Sequence, residues 1–351
     1  MNYLDKVNPK ILEYFKVLEP EFPEWLLEYI NTEVLLKQQY ISVSCGTIYS
    51  KLFDYDYFYS SLDHSIAVAL ICWHFTQDKK TTLSGLFHDI ATPVFKHCVD
   101  FLSGDYMVQE TTEDLTTNLI MGSKQIMDLL KRDKIDISEV DNYHIYPIAD
   151  NDIPKLSSDR LEYSFINGMV NYHLINLEDV SRFYNDLSIQ KNQDGVQEIG
   201  FKTKRIARDF VKLTSKLSII YRQDKNKYSM QLLADILKGL SEDGLVKKAD
   251  LYEMKENEVI EIIKSSKYSR IYHIWENAKR VKKSKRKPKG VYFVKQKIKI
   301  RYIDPLLNGK RISKVCKIAH KMIQRNLNAK MDNYIYLNFT FDDNDKTKSV
   351  V

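Results

Sequence analysis

LFHDIATPVFKHCVD, residues 86–100, is the stretch from which the fold is read. It sets His88 beside Asp89, turns at Pro93, and then sets His97 close to Asp100. Adjacent His and Asp at the end of a helix can present an imidazole nitrogen and a carboxylate oxygen to one divalent ion. One such dipeptide means little in a chain of 351 residues, so its company decides. Upstream, SLDHSIAVAL (61–70) brings His64 in the first turn of a strong helix. Downstream, SSDRLEYSFIN (157–167) brings Asp159 at the opening of another. Taken singly, His64 is an ordinary core histidine and Asp159 an ordinary helix cap. Taken in order, His64, His88, Asp89 and Asp159 are two imidazoles and two carboxylates from three helices, a set that can converge inside a bundle. Mixed nitrogen and oxygen donors suit Mn, Mg, Fe or Zn.

The segments around these ligands read as helices. Residues 10–40 are helical with breaks at Pro20 and Pro23, and Trp25, Leu26, Ile30 and Val34 form one apolar face. Residues 61–77 are a helix capped by Ser61 or Asp63, and 81–90 a second capped by Thr81 or Thr82. A short helix restarts over 94–103, and a long one covers 111–132 from Thr111 or Thr112. Another runs from Ser157-Ser158-Asp159 to about His173. Amphipathic helices continue over 202–223, 228–241 and, as two, 248–280. Residues 40–60 break the pattern as a loop or short hairpin whose aromatics suit either a cleft wall or an interface.

Composition agrees. With 11 Gly and 8 Pro there is too little turn chemistry for a sandwich. The four Cys are scattered without a CxxC pair, which argues for neither a disulfide framework nor a zinc ribbon and suits reduced thiols in a cytoplasmic setting. The first fifteen residues show no apolar run after a basic start, so no signal peptide is expected, and no stretch has the length and apolarity of a membrane span. The composition changes at Lys279: KRVKKSKRKPKG (279–290) carries eight Lys or Arg and no acid. Beyond it, 291–307 and 333–341 alternate in part with period two and are rich in Val, Ile, Tyr and Phe, so they read as strands. The expected architecture is mainly α: a helical domain over 1–285 and a small basic α+β region over 286–351.

Over about residues 30–175 the chain resembles the HD-domain phosphohydrolases, and within them the deoxynucleoside triphosphate triphosphohydrolase branch. The family phrases R-x-x-H-S, HD-x-(G/A)-x-x-x-F-x-H and D-x-D-(R/K)-x-(D/E)-Y read here as SLDHS, HDIATPVFKH and SSDRLEY. The resemblance implies a helical HD bundle whose metal ligands are His64, His88, Asp89 and Asp159. It implies that His97, with Asp100 and Glu110, serves catalysis, and that Arg160, Tyr163, Asn167 and Gln109 meet a nucleotide substrate. It implies a divalent metal, Mn or Mg for activity, and a homo-oligomer.

Three departures bear on function. The family's Arg before the first His is Ser61, which removes a bidentate phosphate donor. Thr92 and Gln109 stand where the family has histidines, and neither can shuttle a proton. His97 is then the surviving proton donor. The expectation is a metal-dependent nucleotide phosphohydrolase of the dNTP triphosphohydrolase type. The alternatives are a phosphodiesterase or nuclease on oligonucleotides, or an HD-fold protein that binds nucleic acid or senses nucleotides with little chemistry. The basic run 279–301 would serve nucleic acid, a regulatory nucleotide, or simply a solvated linker and a Lys-protected edge.

Overall fold

The computed structural model describes residues 2–99, 115–298 and 300–337. It is mainly helical, with a small α+β region at the C-terminal end. The Ser61–Thr76 helix is its axis, buried on every face from Ser61 to Cys72. A helix apolar all round belongs in the middle of a bundle. Ser60, rather than Ser61 or Asp63, caps it: Ser60 Oγ accepts from Asp63 N (3.0 Å), and Asp63 Oδ2 accepts from Ser60 N (2.8 Å). The Lys79–Phe87 helix packs antiparallel on the axis and is capped by Asp78, upstream of both threonines that the pattern suggested. Their closest approach is at Gly85, where an added Cβ would stand 3.1 Å from Cys72 Sγ.

Helices Pro9–Leu18, Ser158–Ile166, Leu177–Asn185 and Lys204–Tyr221 surround this pair and share one core with it. A second core gathers Asp224–Glu242, Glu256–Ser265 and Ser269–Glu276. Among the described residues no helix is long and apolar enough to cross a membrane.

Several elements differ from the sequence pattern. The helix expected from Ser157 to about His173 ends at Ile166 and continues as a single π turn over Asn167–Asn171. The described part of 111–132 is two helices, Thr116–Gly122 and Lys124–Asp133, because Ser123 leaves the helical conformation to cap the second. A hairpin absent from the pattern reading, Leu187–Lys191 with Gln197–Phe201, pairs Leu187 with Phe201. Gly200 and Phe201 then pair in parallel with Leu306 and Leu307. The expected strand over 291–307 is paired only at Phe293–Val294 and Leu306–Leu307. Among the described residues between these two pairs, none lies in a strand.

Several described residues after 285 pack into the body. Tyr292 and Ile335 lie in the second core, Ile303 and Ile323 in the first. Arg311 and Glu198 form a buried bidentate pair at 2.5 and 2.7 Å. Residue 285 thus marks a change of secondary structure within shared cores.

Candidate metal centre and its cavity

Each candidate ligand is placed by a local reason. His64 stands one turn into the axial helix, where the Ser60 cap sets the start. His88 follows directly on the Lys79–Phe87 helix, and its Nδ1–H donates to the Gly85 carbonyl at 2.7 Å. Because Gly85 is the point of close approach between the two helices, that bond brings the His88 ring up to His64. Asp159 lies in the first turn of Ser158–Ile166, whose cap is Ser157.

The four donors converge. His64 Nε2 is 3.2 Å from His88 Nε2 and 3.2 Å from Asp159 Oδ1. Asp89 Oδ2 is 3.9 Å from His64 Nε2 and 3.8 Å from His88 Nε2, and His88 Nε2 is 3.9 Å from Asp159 Oδ1. Donors held about 2.1 Å from one octahedral ion are about 3.0 Å apart when adjacent and about 4.2 Å when opposite. The two shortest separations are close to the adjacent value, and the other three lie between the two. His64, His88 and Asp89 each offer a ligand atom within 4.8 Å of the other two.

The hydrogen bonds behind the rings suit a metal better than a chance cluster. Glu162, one helical turn after Asp159 and fully buried, accepts from His64 Nδ1–H. Tyr59 O–H holds the other oxygen of Glu162 at 2.7 Å. With both Nδ1 atoms donating, both Nε2 lone pairs face inward, the arrangement in which a ligating histidine is oriented and made more basic. Two lone pairs and two carboxylates then meet at close range, which only a cation can stabilise. Without an ion, the same negative charge draws a proton to His64. Burial pushes the His64 imidazole down, but Glu162 and Asp159 overcome it and raise it to about 10. Burial pushes Asp89 up, but Lys96 and the two imidazoles hold it far below the usual carboxylate range. Asp159 is held low against burial chiefly by His64.

The cluster lies in the wall of a cavity of about 600 Å³. That volume suits a small organic ligand. His97, Arg160, Tyr163 and Asn167 all line it, so the sequence candidates that fall among the described residues come together. Asp100, Gln109 and Glu110 lie outside the described residues. Arg160, expected at phosphate, has its guanidinium engaged elsewhere: it donates to Lys155 O (3.0 Å), Asp150 Oδ1 (3.0 Å) and Asn151 Oδ1 (2.9 Å). It therefore stiffens the rim. Asn167 donates to Tyr163 O (2.8 Å) and accepts from Asn171 (2.9 Å), which fixes the π turn along the cavity.

Sequence reasoning missed several contributors. Glu162 carried one signal, its i+3 spacing from Asp159. Tyr221 stacks on Tyr163 (centroids 5.6 Å, 29°) and Tyr172 tilts against Tyr221 at 6.1 Å, so part of the cavity wall is aromatic. Arg301 and Tyr302 enter the cavity from the C-terminal segment, where Asp304 N donates to Pro154 O at 2.9 Å. Tyr55, from the aromatic run 49–59, lines the cavity, while Tyr59 is buried behind Glu162. Lys96 is nearly buried and donates to Asp89 Oδ2 at 2.5 Å. Nothing in the sequence pattern singled it out.

No family model matches the chain, and no curated protein matches it by sequence. Solved structures do match by shape. A phosphohydrolase from Bacteroides thetaiotaomicron superposes with a TM-score of 0.61 at 13% identity, over 91% of this chain and 97% of that one. A hypothetical protein from Aquifex aeolicus superposes with a TM-score of 0.54 at 15% identity, over 90% and 93%. At these identities the likeness is one of fold, and the chain shares that fold over nearly its whole length with a structure described as a phosphohydrolase.

Proposed function

We propose that the chain is a metal-dependent phosphohydrolase acting on nucleotides, of the dNTP triphosphohydrolase type that its motifs resemble. The observation that carries this reading is the convergence of His64, His88, Asp89 and Asp159 at metal-like spacing in the wall of a nucleotide-sized cavity. A divalent ion bound there would supply a Lewis acid and a water of lowered pKa. The chain's residues do the rest. Glu162 and the Gly85 carbonyl keep both imidazoles in the ligating tautomer. Asp89 and Asp159 add the negative charge that retains the ion. The rings of Tyr163 and Tyr221 offer a flat surface to a base or sugar. His97, at the cavity wall, gives its proton to the leaving oxygen. On this reading the phosphates would meet the metal donors and the nucleoside the tyrosine rings.

The test is product analysis with Mn across dNTPs, NTPs, monophosphates and short oligonucleotides, with His88→Ala alongside. Release of tripolyphosphate from a dNTP, lost in His88→Ala, is expected. Orthophosphate release, or monomers from oligonucleotides, would move the protein to a nucleotidase or nuclease. Absence of turnover with metal bound would sink the enzymatic reading.

A second activity is favoured by one observation: all eight cations of 279–290 are exposed. We propose that this run retains a polyanion such as nucleic acid. Retention should fall steeply between about 50 and 200 mM salt and survive His88→Ala; salt-insensitive retention would exclude it.

A further inference from the structure

Resting on the phosphohydrolase reading, we infer that Lys96 is a substrate-binding residue that holds a phosphate group of the substrate beside the metal ligands. The metal side of the cavity is rich in negative charge. Asp89 and Asp159 face it, and Asp150 and Asp152 stand at its rim. A nucleotide adds several more negative charges, and a single divalent ion offsets only part of the total. Cations must therefore face the phosphates. Among the described residues lining the cavity they are Lys96, Arg160 and Arg301. Arg160 gives three of its five N–H groups to Asp150, Asn151 and the Lys155 carbonyl, which ties its charge to those partners. Lys96 is the one whose charge lies at the ligands themselves, 2.5 Å from Asp89 Oδ2.

The chain is built to aim it. Phe95 and Lys96 both take left-handed backbone conformations (φ 61° and 44°), which non-glycine residues seldom adopt in succession. Neighbours enforce the turn. The Phe95 ring is fully buried in the second core against Tyr49 (centroids 6.3 Å). It also presses on Gly46, where a Cβ would stand 2.6 Å from the ring. Val94 N donates to Leu251 O at 2.9 Å. Anchored on that side, the turn sends Lys96 the other way, under Asp89. The small Ser61 side chain leaves room, and the ammonium comes within 3.5 Å of Ser61 Oγ. So the place that Ser61 leaves without a guanidinium is reached by a cation from another element. An ammonium has three N–H donors. Asp89 and Ser61 take two, which leaves one for a phosphoryl oxygen.

The experiment compares wild type, Lys96→Met and Lys96→Arg, each Mn-loaded and checked for fold by circular dichroism. Met keeps the buried stem without charge, and Arg keeps the charge. Mn affinity is measured by chelator competition, and tripolyphosphate affinity by calorimetry. Lys96→Met should bind Mn at least as tightly as wild type, because the ammonium no longer competes for Asp89. It should bind tripolyphosphate about ten- to a hundredfold more weakly, the loss of one charged hydrogen bond. Lys96→Arg should recover most of that loss. Unchanged tripolyphosphate binding in Lys96→Met, or a loss of Mn affinity as large as the loss of anion affinity, would overturn the assignment and leave Lys96 as a prop for Asp89. If the wild type hydrolyses no nucleotide, the enzymatic reading fails separately, since both binding measurements are independent of turnover.

Discussion

Replacing Glu162 by Gln removes one charge and almost no volume from a fully buried position behind His64. The carboxylate makes two bonds there: one oxygen accepts from His64 Nδ1–H, the other from Tyr59 O–H at 2.7 Å. A carboxylate only accepts, so it fixes the His64 proton on Nδ1 and the lone pair on Nε2. Gln has a single oxygen. If that oxygen faces His64, the amide faces Tyr59, whose hydroxyl must turn round to accept. The tautomer then survives, but the ring loses the negative charge that makes it a strong donor. If the amide faces His64 instead, the imidazole proton moves to Nε2 and the ligand is lost. Either outcome weakens metal binding by the amount typical of such outer partners, about 10- to 100-fold, or about 1.4–2.7 kcal/mol. Mn titration against a fluorescent chelator reads it directly. Two companions bracket the effect: Asp159→Asn, which removes a donor oxygen, should lose more, and Tyr59→Phe, which keeps the carboxylate, should lose less. Wild-type Mn affinity in a folded Glu162→Gln variant would refute the claim that Glu162 sets the basicity of His64.

Three further outcomes follow from particular contacts. Gly46→Ala places a Cβ 2.6 Å from the Phe95 ring and 2.9 Å from Leu233 at φ 75°. It should cost about 2–4 kcal/mol in urea unfolding, the sum of backbone strain and overpacking, and a cost under about 0.5 kcal/mol would show that the site relaxes. Glu256 is fully buried, and burial raises its carboxyl from 4.5 to about 8. Between those two pH values the folded state keeps a proton that the unfolded chain releases, so its contribution to stability falls as pH rises through that window and levels above it. Glu256→Gln should flatten the dependence of unfolding free energy on pH from 5 to 8, and an unaltered slope would show that Glu256 is ionised in the fold. Tyr221→Leu removes one face of the stacked Tyr163–Tyr221 wall. For a nucleotide substrate, KM should rise about fivefold or more while metal affinity stays unchanged; an unchanged KM would place the base elsewhere.

How much of this was legible depends on what kind of information each part carries. The clustering of His64, His88 and Asp89 was readable because metal donors are few residue types at helix-sized spacings, and helices with clear caps and apolar faces fix where they point. Ser157 and the run from Ser61 to Thr76 show this, though Ser60 took the cap. The mainly α architecture was readable for the same reason. The hairpin 187–201 was not. Its second strand is buried at four of five positions, and one of these is a charged residue, Glu198, whose charge is met by Arg311 from 113 residues away. Period-two alternation cannot report a partner at that distance. The split of 111–132 at Ser123 and the π turn over Asn167–Asn171 were missed because a helical period hides a local change of backbone.

The cavity's charged lining lies at the far end of that scale, and Arg160 and Lys96 show why. Arg160 stands in a motif position and lines the cavity, and Asp150 and Asn151 in the preceding loop share its donors, which the motif does not reveal. Lys96 has no motif standing, yet two left-handed residues and a buried phenylalanine carry its ammonium to Asp89. A ligand is recognised by what it is, and a second charge by what already holds it. Motif spacing therefore points to a cluster of metal-type donors in a chain that is only 13–15% identical to the two solved structures named above. It does not locate the cations that select the substrate, because their positions are set by backbone strain and by competing carboxylates. If Lys96 holds phosphate as inferred, the triphosphate-handling shell that Ser61 and Thr92 appeared to dismantle has been rebuilt from another element, and substrate assignments for chains like this one require the positions of charges as well as the presence of ligands.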